Sequence, residues 1–200
     1  DAIRDAEIIF NTNIFVISDE PYVKIVYDDI TVPCVFECFD KAIIVNSYSK
    51  SLALPGERIG YIAIDPKIPN SELLANICIF NTRTLGYVNA PAIMQRVIQS
   101  SCDAKVDIDD YKLRRDMLYD HMVKCGFSIK KPQGAFYLFV KSPVEDEMEF
   151  VEKAKKYNIL IVPGRGFGMR GYVRMCFCIS KKTIQASLPK ITELAREYFG

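Results

Sequence analysis

The sequence contains no tryptophan, only one histidine, and almost no net charge. A formal net charge of +1 at pH 7 does not indicate a nucleic-acid or anionic-membrane partner. His121 is the single histidine, so a zinc site is not expected. No apolar run approaches the roughly 20 residues that a membrane-spanning helix needs. We therefore predict no metal, no nucleic acid and no membrane among the partners of this chain.

The sequence also lacks a C-x-x-C pair, although it contains seven cysteines. An odd count with scattered spacing is typical of thiols in a reducing compartment, so we predict a cytoplasmic protein. Cys176 and Cys178 alternate along an apolar segment, and we expect them to share a face and lie in the core. The amino terminus has neither a methionine nor a signal-peptide pattern. "DAIRDAEIIF" resembles the middle of a helix, so we expect the chain to be cut from a longer one.

Three apolar segments in the first half of the chain predict strands. "IFVISD" at 14–19 is rich in β-branched residues and stops on an acid, which is typical of a buried strand in a parallel sheet. "KAIIVNS" at 41–47 repeats this pattern, and "RIGYIAI" at 58–64 predicts a third strand. These strands, followed by helical patterns, indicate an α/β fold.

The second half of the chain predicts a separate α/β unit. Its strands are expected at 134–140 and 172–180, and an amphipathic helix ends the chain. We predict one domain over residues 1–105 and a second over 106–200. A helix of about 109–125 is expected to join them.

Polar residues that could hold a phosphate follow the second predicted strand. Open α/β sheets bind ligands at the carboxyl ends of their strands. Ser47 and Ser49 offer hydroxyl donors, and Arg58 offers a planar guanidinium fork. Lys50 could add charge to such a site, or it could be a nucleophile that forms an imine with an aldehyde. The Walker pattern G-x-x-x-x-G-K-[ST] is absent, which counts against a nucleotide.

The first predicted strand ends in "SDEPY", which adds two further groups. The Asp19 carboxylate could hold a positive charge, and the Tyr22 hydroxyl could donate a hydrogen bond to an anionic oxygen. Pyridoxal phosphate requires such a set: a carboxylate at the ring nitrogen, a donor to the ring oxygen, a lysine and an anion cradle. The two strand ends together therefore predict a pyridoxal phosphate site.

Four segments resemble the motifs of class I/II aminotransferases, in the fold-type I pyridoxal phosphate family. "VISDEPY" resembles the strand that carries D-x-x-Y, and "SYSKSLALPGERIGY" resembles the S-x-S-K signature with its following arginine and glycine. "PQGAFYLF" resembles the segment that opens the small domain. "VPGRGFG" with "GYVRMCF" resembles the loop and strand that carry the substrate arginine. The motifs occur in the family's order and span nearly the whole chain.

This resemblance implies a role for each site residue. Lys50 would be the catalytic residue, forming the covalent imine with pyridoxal 5′-phosphate and moving protons. Asp19 would pair with the ring nitrogen, Tyr22 would donate to the phenolic oxygen, and Arg174 would bind the substrate α-carboxylate. The phosphate would be held by Ser47, Ser49 and Arg58. Arg165 and Arg170, in the Gly-rich loop, are expected to be solvent-exposed charges.

The resemblance implies an aminotransferase that moves an amino group between an L-amino acid, such as aspartate or an aromatic amino acid, and a 2-oxo acid. A carbon–sulfur β-lyase remains an alternative, because the same fold and motifs serve both reactions. A noncatalytic pyridoxal phosphate-binding domain of a transcription regulator is a second alternative. Neither the amino acid nor the choice between transaminase and lyase follows from the sequence.

Several elements of the resembled family have no counterpart before Asp19. They are the loop that caps the phosphate, the aromatic residue that stacks on the ring, and the asparagine at the phenolic oxygen. We therefore expect the carboxyl-terminal part of the large, mostly parallel-sheet domain followed by the small carboxyl-terminal α/β domain. Such a fragment would have an unpaired sheet edge and no activity by itself. The full-length parent is expected to be a homodimer.

Overall fold

The computed structural model describes residues 2–200, which form two compact units. The first comprises the described residues up to Lys24 together with Ile30–Val106, and the second comprises Ile25–Asp29 together with Asp107–Gly200. Each unit has its own three-stranded sheet and its own helices. No helix within residues 2–200 combines the length and the apolar character needed to cross a membrane.

The first unit alternates strands with helices. A 3-10 turn at Pro55–Glu57 precedes its last strand. Its strands are β1 (Val16–Asp19), β2 (Ala42–Ser47) and β3 (Gly60–Ile64). Its helices are α1 (Ala2–Phe10), α2 (Val35–Cys38), α3 (Tyr48–Ser51), α4 (Ser71–Thr84) and α5 (Ala92–Ser101).

Strand β2 is the middle strand of this sheet and pairs on both sides. It runs parallel to β1, with Asp19 opposite Val45, which confirms the predicted parallel pairing. It runs antiparallel to β3, with Ser47 opposite Gly60. The carboxyl ends of β1 and β2 and the beginning of β3 therefore lie at one edge of the sheet.

The first unit buries few apolar side chains. Ile17 of β1 is 67 % exposed, so the prediction of a fully buried strand is wrong. The reason is that β1 is an edge strand whose side chains alternate between half-buried and exposed. None of the described side chains of α1 or α4 is buried. Both helices expose large apolar side chains to solvent. A surface with many exposed apolar side chains is typical of one that contacts another part of a protein or another chain.

The second unit has an antiparallel sheet in the order β4-β6-β5. A helix occurs where the pattern predicts one over about 109–125. The strands are β4 (Tyr137–Lys141), β5 (Val162–Pro163) and β6 (Tyr172–Cys176). The helices are α6 (Ile108–Lys124), α7 (Glu147–Lys156) and α8 (Lys181–Phe199), and a 3-10 turn spans Gly164–Phe167.

Strand β6 shows which face of this sheet is buried. Val173, Met175 and Phe177 lie in the core. Cys176 and Cys178 share a face, as the alternation predicts, but both are exposed, so their predicted core position is wrong. Because successive side chains point to opposite faces, burying one set exposes the other, and the larger apolar set takes the core.

The segment Ile25–Asp29 joins the second unit through a buried arginine. The Arg115 side chain is fully buried in α6 and donates to both carboxylate oxygens of Asp28, over 2.7 and 3.2 Å. Its guanidinium also lies 4.7 Å from the ring centroid of Tyr27. The Tyr27 hydroxyl donates to the carbonyl of Ala135, and burial raises the pKa of that hydroxyl. A planar fork can hold a carboxylate and stack on a ring at once, which a lysine cannot do.

We expect Arg115→Ala to lower the free energy of unfolding by about 2–4 kcal/mol, because it removes a buried guanidinium together with its hydrogen bonds to Asp28 and to the Pro132 carbonyl. Lys112→Ala removes an exposed ion pair to the same Asp28 and should cost less than about 1 kcal/mol. Urea unfolding of the two variants measures both values. Equal losses would contradict the role given to Arg115.

Candidate active site

The chain turns into a short helix directly after β2. Ser47 precedes α3, and Ser49 and Lys50 lie within its single turn. The Tyr48 amide donates to the carbonyl of Ile59 over 3.1 Å, which holds this turn against the beginning of β3. Ser47, Ser49 and Lys50 are all half-buried at this edge of the sheet.

Lys50 lies beside Tyr22. The Lys50 Nζ is 5.9 Å from the centroid of the Tyr22 ring. The Glu20 amide donates to the carbonyl of Val45 over 2.8 Å, which continues the β1–β2 pairing beyond the end of β1. The parallel pairing therefore brings together Lys50 and Tyr22, which are 28 positions apart in the sequence. A local sequence pattern cannot predict a contact over that separation.

Asp19 ends β1 at the same edge and has an exposed side chain. It lines a cavity of about 350 Å³ together with Tyr22. Val32 and Val35 form part of its apolar wall. Asp19 and Tyr22 are therefore adjacent, as their spacing in the sequence predicts.

Arg58 has a different environment. Its backbone is left-handed, with φ of 50° and ψ of 50°, and its Nη1 donates to the carbonyl of Pro55 over 2.6 Å. The side chain is exposed and lines another cavity, of about 500 Å³, with Ile79 and Tyr87. Arg58 thus lies two residues before Gly60, the pairing partner of Ser47. Its guanidinium is bound to the nearby carbonyl of Pro55.

Gly60 permits the close pairing of β2 and β3, a role that the sequence pattern does not reveal. A Cβ added at Gly60 would collide with the backbone oxygen of Asn46 and lie 3.1 Å from Ser47 Cα. Any larger residue would therefore push β3 away from the end of β2, where Ser47 lies.

Arg174 is half-buried on β6, the middle strand of the second unit's sheet, and lies opposite Phe139 of β4. Its guanidinium carbon is 3.8 Å from the ring centroid of Phe167 and 4.3 Å from that of Tyr137. None of the ion pairs formed within residues 2–200 includes Arg174. Two aromatic faces hold the cation while leaving its N–H fork for a planar anion.

Arg165 and Arg170 are exposed, as predicted, but Arg165 also pairs with two carboxylates. Its Nε donates to Glu147 over 2.8 Å, and its Nη2 donates to Asp146. Glu147 is 1 % exposed. Tyr137 and Phe167 lie within the motifs PQGAFYLF and VPGRGFG, but the motifs do not show that both rings contact Arg174. Glu147 lies in none of the quoted motifs, and its contacts join separate elements.

The sequence matches the model of the family described as aminotransferase class I and II over residues 4–191. This chain belongs to that family. Class I and II aminotransferases depend on pyridoxal phosphate, and their substrates are amino acids and oxo acids.

Two curated relatives in this family are similar over most of the chain. A probable N-acetyl-LL-diaminopimelate aminotransferase of Bacillus subtilis is 30 % identical over 194 residues, which cover 93 % of this chain and 48 % of the relative. A probable aspartate aminotransferase of Methanocaldococcus jannaschii is 31 % identical and covers 94 % of this chain and 52 % of the relative. The chain thus spans about half the length of these aminotransferases.

Solved aminotransferases have the same fold. An amino transferase from Eubacterium rectale superposes with a TM-score of 0.92 at 41 % identity, covering 98 % of this chain and 50 % of that one. An aspartate aminotransferase from Thermotoga maritima superposes with a TM-score of 0.80 at 25 % identity, covering 95 % and 50 %. The predicted α/β fold of fold-type I aminotransferases is confirmed over this length.

We expect Gly60→Ala to destabilise the chain by about 1–3 kcal/mol, because its methyl group has no room beside the Asn46 oxygen. Gly56→Ala is the matched control, since nothing lies within 4 Å of a Cβ at Gly56. Its effect should stay within about 0.5 kcal/mol. Thermal and urea unfolding compare the two, and a tolerated Gly60→Ala would refute the close approach.

Proposed function

We propose that this chain supplies the carboxyl-terminal half of a pyridoxal phosphate-dependent aminotransferase that acts on an L-amino acid and a 2-oxo acid. The observation that carries the proposal is the position of Lys50 beside Tyr22, at paired strand ends that also carry Asp19. Residues 1–105 would belong to the large cofactor domain and 106–200 to the small domain. The whole protein would be a cytoplasmic homodimer.

The residues at this edge suit pyridoxal phosphate in charge and hydrogen-bonding type. The Asp19 carboxylate would pair with the protonated ring nitrogen, and the Tyr22 hydroxyl would donate to the phenolic oxygen. Hydroxyls of Ser47 and Ser49 would donate to the phosphate. Arg58 would join them by exchanging its bond to the Pro55 carbonyl for a phosphate oxygen.

Lys50 is the proposed covalent attachment point and proton carrier. Its Nζ would hold the cofactor through the aldehyde carbon and, as a free amine, would accept the proton from the substrate Cα. The bound cofactor supplies the electron sink for that proton removal. The Tyr22 ring, with its centroid 5.9 Å from Nζ, lies beside the proposed attachment point.

Arg174 is the proposed receptor for the substrate α-carboxylate. Its guanidinium can form two parallel hydrogen bonds to a carboxylate, and Tyr137 and Phe167 fix its plane. This arrangement selects for the group that all α-amino acids share. It does not by itself select among side chains.

The attachment to Lys50 can be tested without measuring turnover. We would join this chain to the amino-terminal half of the Eubacterium rectale aminotransferase, reconstitute it with pyridoxal phosphate, reduce it with borohydride and map the modified peptide. We expect the label on Lys50 and its loss in Lys50→Ala. Lys24→Ala, which removes an exposed lysine near Tyr22, should keep the label. Undiminished labelling of Lys50→Ala would refute the assignment.

The role of Arg174 predicts a specific kinetic change in the same chimera. Arg174→Ala should raise KM for the amino acid by about 100-fold, because a bidentate charge-assisted contact is lost, while borohydride labelling persists. Arg170→Ala removes an exposed arginine four residues earlier and should leave KM within about twofold. Equal effects of the two variants would contradict the assignment. The 200-residue chain by itself is expected to show no turnover.

A further inference from the structure

The loop before β6 is tied to the buried carboxylate of Glu147 at both of its ends. Glu147 Oε1 accepts from the Arg165 amide over 3.2 Å and from the Arg165 Nε over 2.8 Å. Its Oε2 accepts from the Gly171 amide over 3.0 Å. One side chain therefore closes the segment between Arg165 and Gly171, which we name the Arg165–Gly171 loop.

The carboxylate that makes these bonds is charged at neutral pH. Hydrogen bonds from the Arg165 guanidinium and then from the Gly171 amide lower the pKa of Glu147 to about 2. Bonds from charged or strongly polar donors to a carboxylate are stronger than those between neutral groups. Glu147 also begins α7, where a negative charge is favoured by the helix dipole.

Contacts other than the Glu147 bonds also restrict the Arg165–Gly171 loop. A Cβ at Gly164 would collide with the carbonyl oxygen of Met169 and lie 2.6 Å from that of Tyr172, so the chain doubles back closely on itself. The Met169 amide donates to the Gly164 carbonyl over 3.0 Å. These contacts hold the loop in one conformation, and Glu147 joins it to α7.

Phe167 is the residue through which this loop reaches Arg174. Its ring centroid is 3.8 Å from the guanidinium carbon of Arg174. The ring also packs edge-on against Phe139, with 6.1 Å between centroids. Because Phe167 is 46 % exposed, burial alone does not hold it, so its position depends on the backbone of the loop.

We infer that Glu147 is a positioning residue, which holds the Arg165–Gly171 loop so that Phe167 fixes the Arg174 guanidinium in the orientation that receives a carboxylate. The carboxylate-binding part of this inference rests on the proposed role of Arg174. The side-chain bonds of Glu147 go to Arg165 and Gly171. Its effect passes through the backbone of the loop and the ring of Phe167.

Hydrogen exchange of the 200-residue chain tests whether Glu147 holds the Arg165–Gly171 loop. In Glu147→Gln, one amide oxygen replaces two charged acceptors, so the amides of Arg165 and Gly171 should exchange at least about tenfold faster. Glu149→Gln makes the same chemical change on the exposed face of α7 and should leave this exchange unaltered. Unchanged protection of both amides in Glu147→Gln would overturn the inference.

The NMR resonance of the Arg174 Nε–H tests whether the loop orients Arg174, because two nearby aromatic rings change its chemical shift. Glu147→Gln should move this resonance toward its position in an unstructured peptide, and Glu149→Gln should not. Phe167→Leu provides a second test that keeps Glu147 intact. Because the ring is 46 % exposed, we expect this variant to stay folded. It should move the Arg174 resonance while the Arg165 and Gly171 amides stay protected. An unmoved resonance in Phe167→Leu would overturn the inference.

A titration with sodium propionate at constant ionic strength tests whether the orientation of Arg174 matters for carboxylate binding. Propionate should shift the Arg174 resonance in the unaltered chain, and Glu147→Gln should weaken this binding by about tenfold because the guanidinium is no longer preorganised. Equal affinity in Glu147→Gln would overturn the inference. If propionate does not bind the unaltered chain at Arg174, the proposed substrate role of Arg174 fails, whereas the exchange and resonance results still decide whether Glu147 positions it.

Discussion

Strand β2 pairs on both sides, and the candidate cofactor ligands take their places from these two pairings. The parallel register with β1 sets Asp19 opposite Val45, and the antiparallel register with β3 sets Gly60 opposite Ser47. A shift of one residue in either register would turn every side chain on that strand to the other face. The contact between Lys50 and Tyr22 follows from the first register.

The arginines of the second unit have two kinds of environment. Arg174 contacts two aromatic rings and takes part in none of the ion pairs within residues 2–200. By contrast, Arg115 and Arg165 are both paired with carboxylates. The unit therefore uses ion pairs to fix its own loops and segments, and aromatic faces to hold the arginine proposed to bind substrate.

The sequence allowed the α/β fold and the family to be predicted, because strand patterns and motifs are local. It also predicted Asp19, Tyr22 and Lys50 as cofactor ligands, and the structure places Lys50 beside Tyr22, with Asp19 and Tyr22 lining one cavity. It did not reveal that β1 is exposed or that Cys176 and Cys178 face outward, because burial depends on which elements cover a strand.

Contacts between distant elements were also beyond the sequence. The Ile25–Asp29 segment joins the second unit through Arg115, and Glu147 holds a loop 18 or more positions away. An acidic residue at the start of a helix usually indicates a favourable dipole interaction. Only the folded chain shows that the Glu147 carboxylate is buried and accepts two backbone amides.

We propose that one edge of the β1–β2–β3 sheet holds pyridoxal phosphate, and a crystal structure of the cofactor-loaded chimera would test this. We expect a covalent bond from Lys50 Nζ to the cofactor, with Asp19 within about 3 Å of the ring nitrogen and the phosphate bound by Ser47, Ser49 and Arg58. A cofactor bound through another lysine, or with its phosphate away from the end of β2, would contradict it.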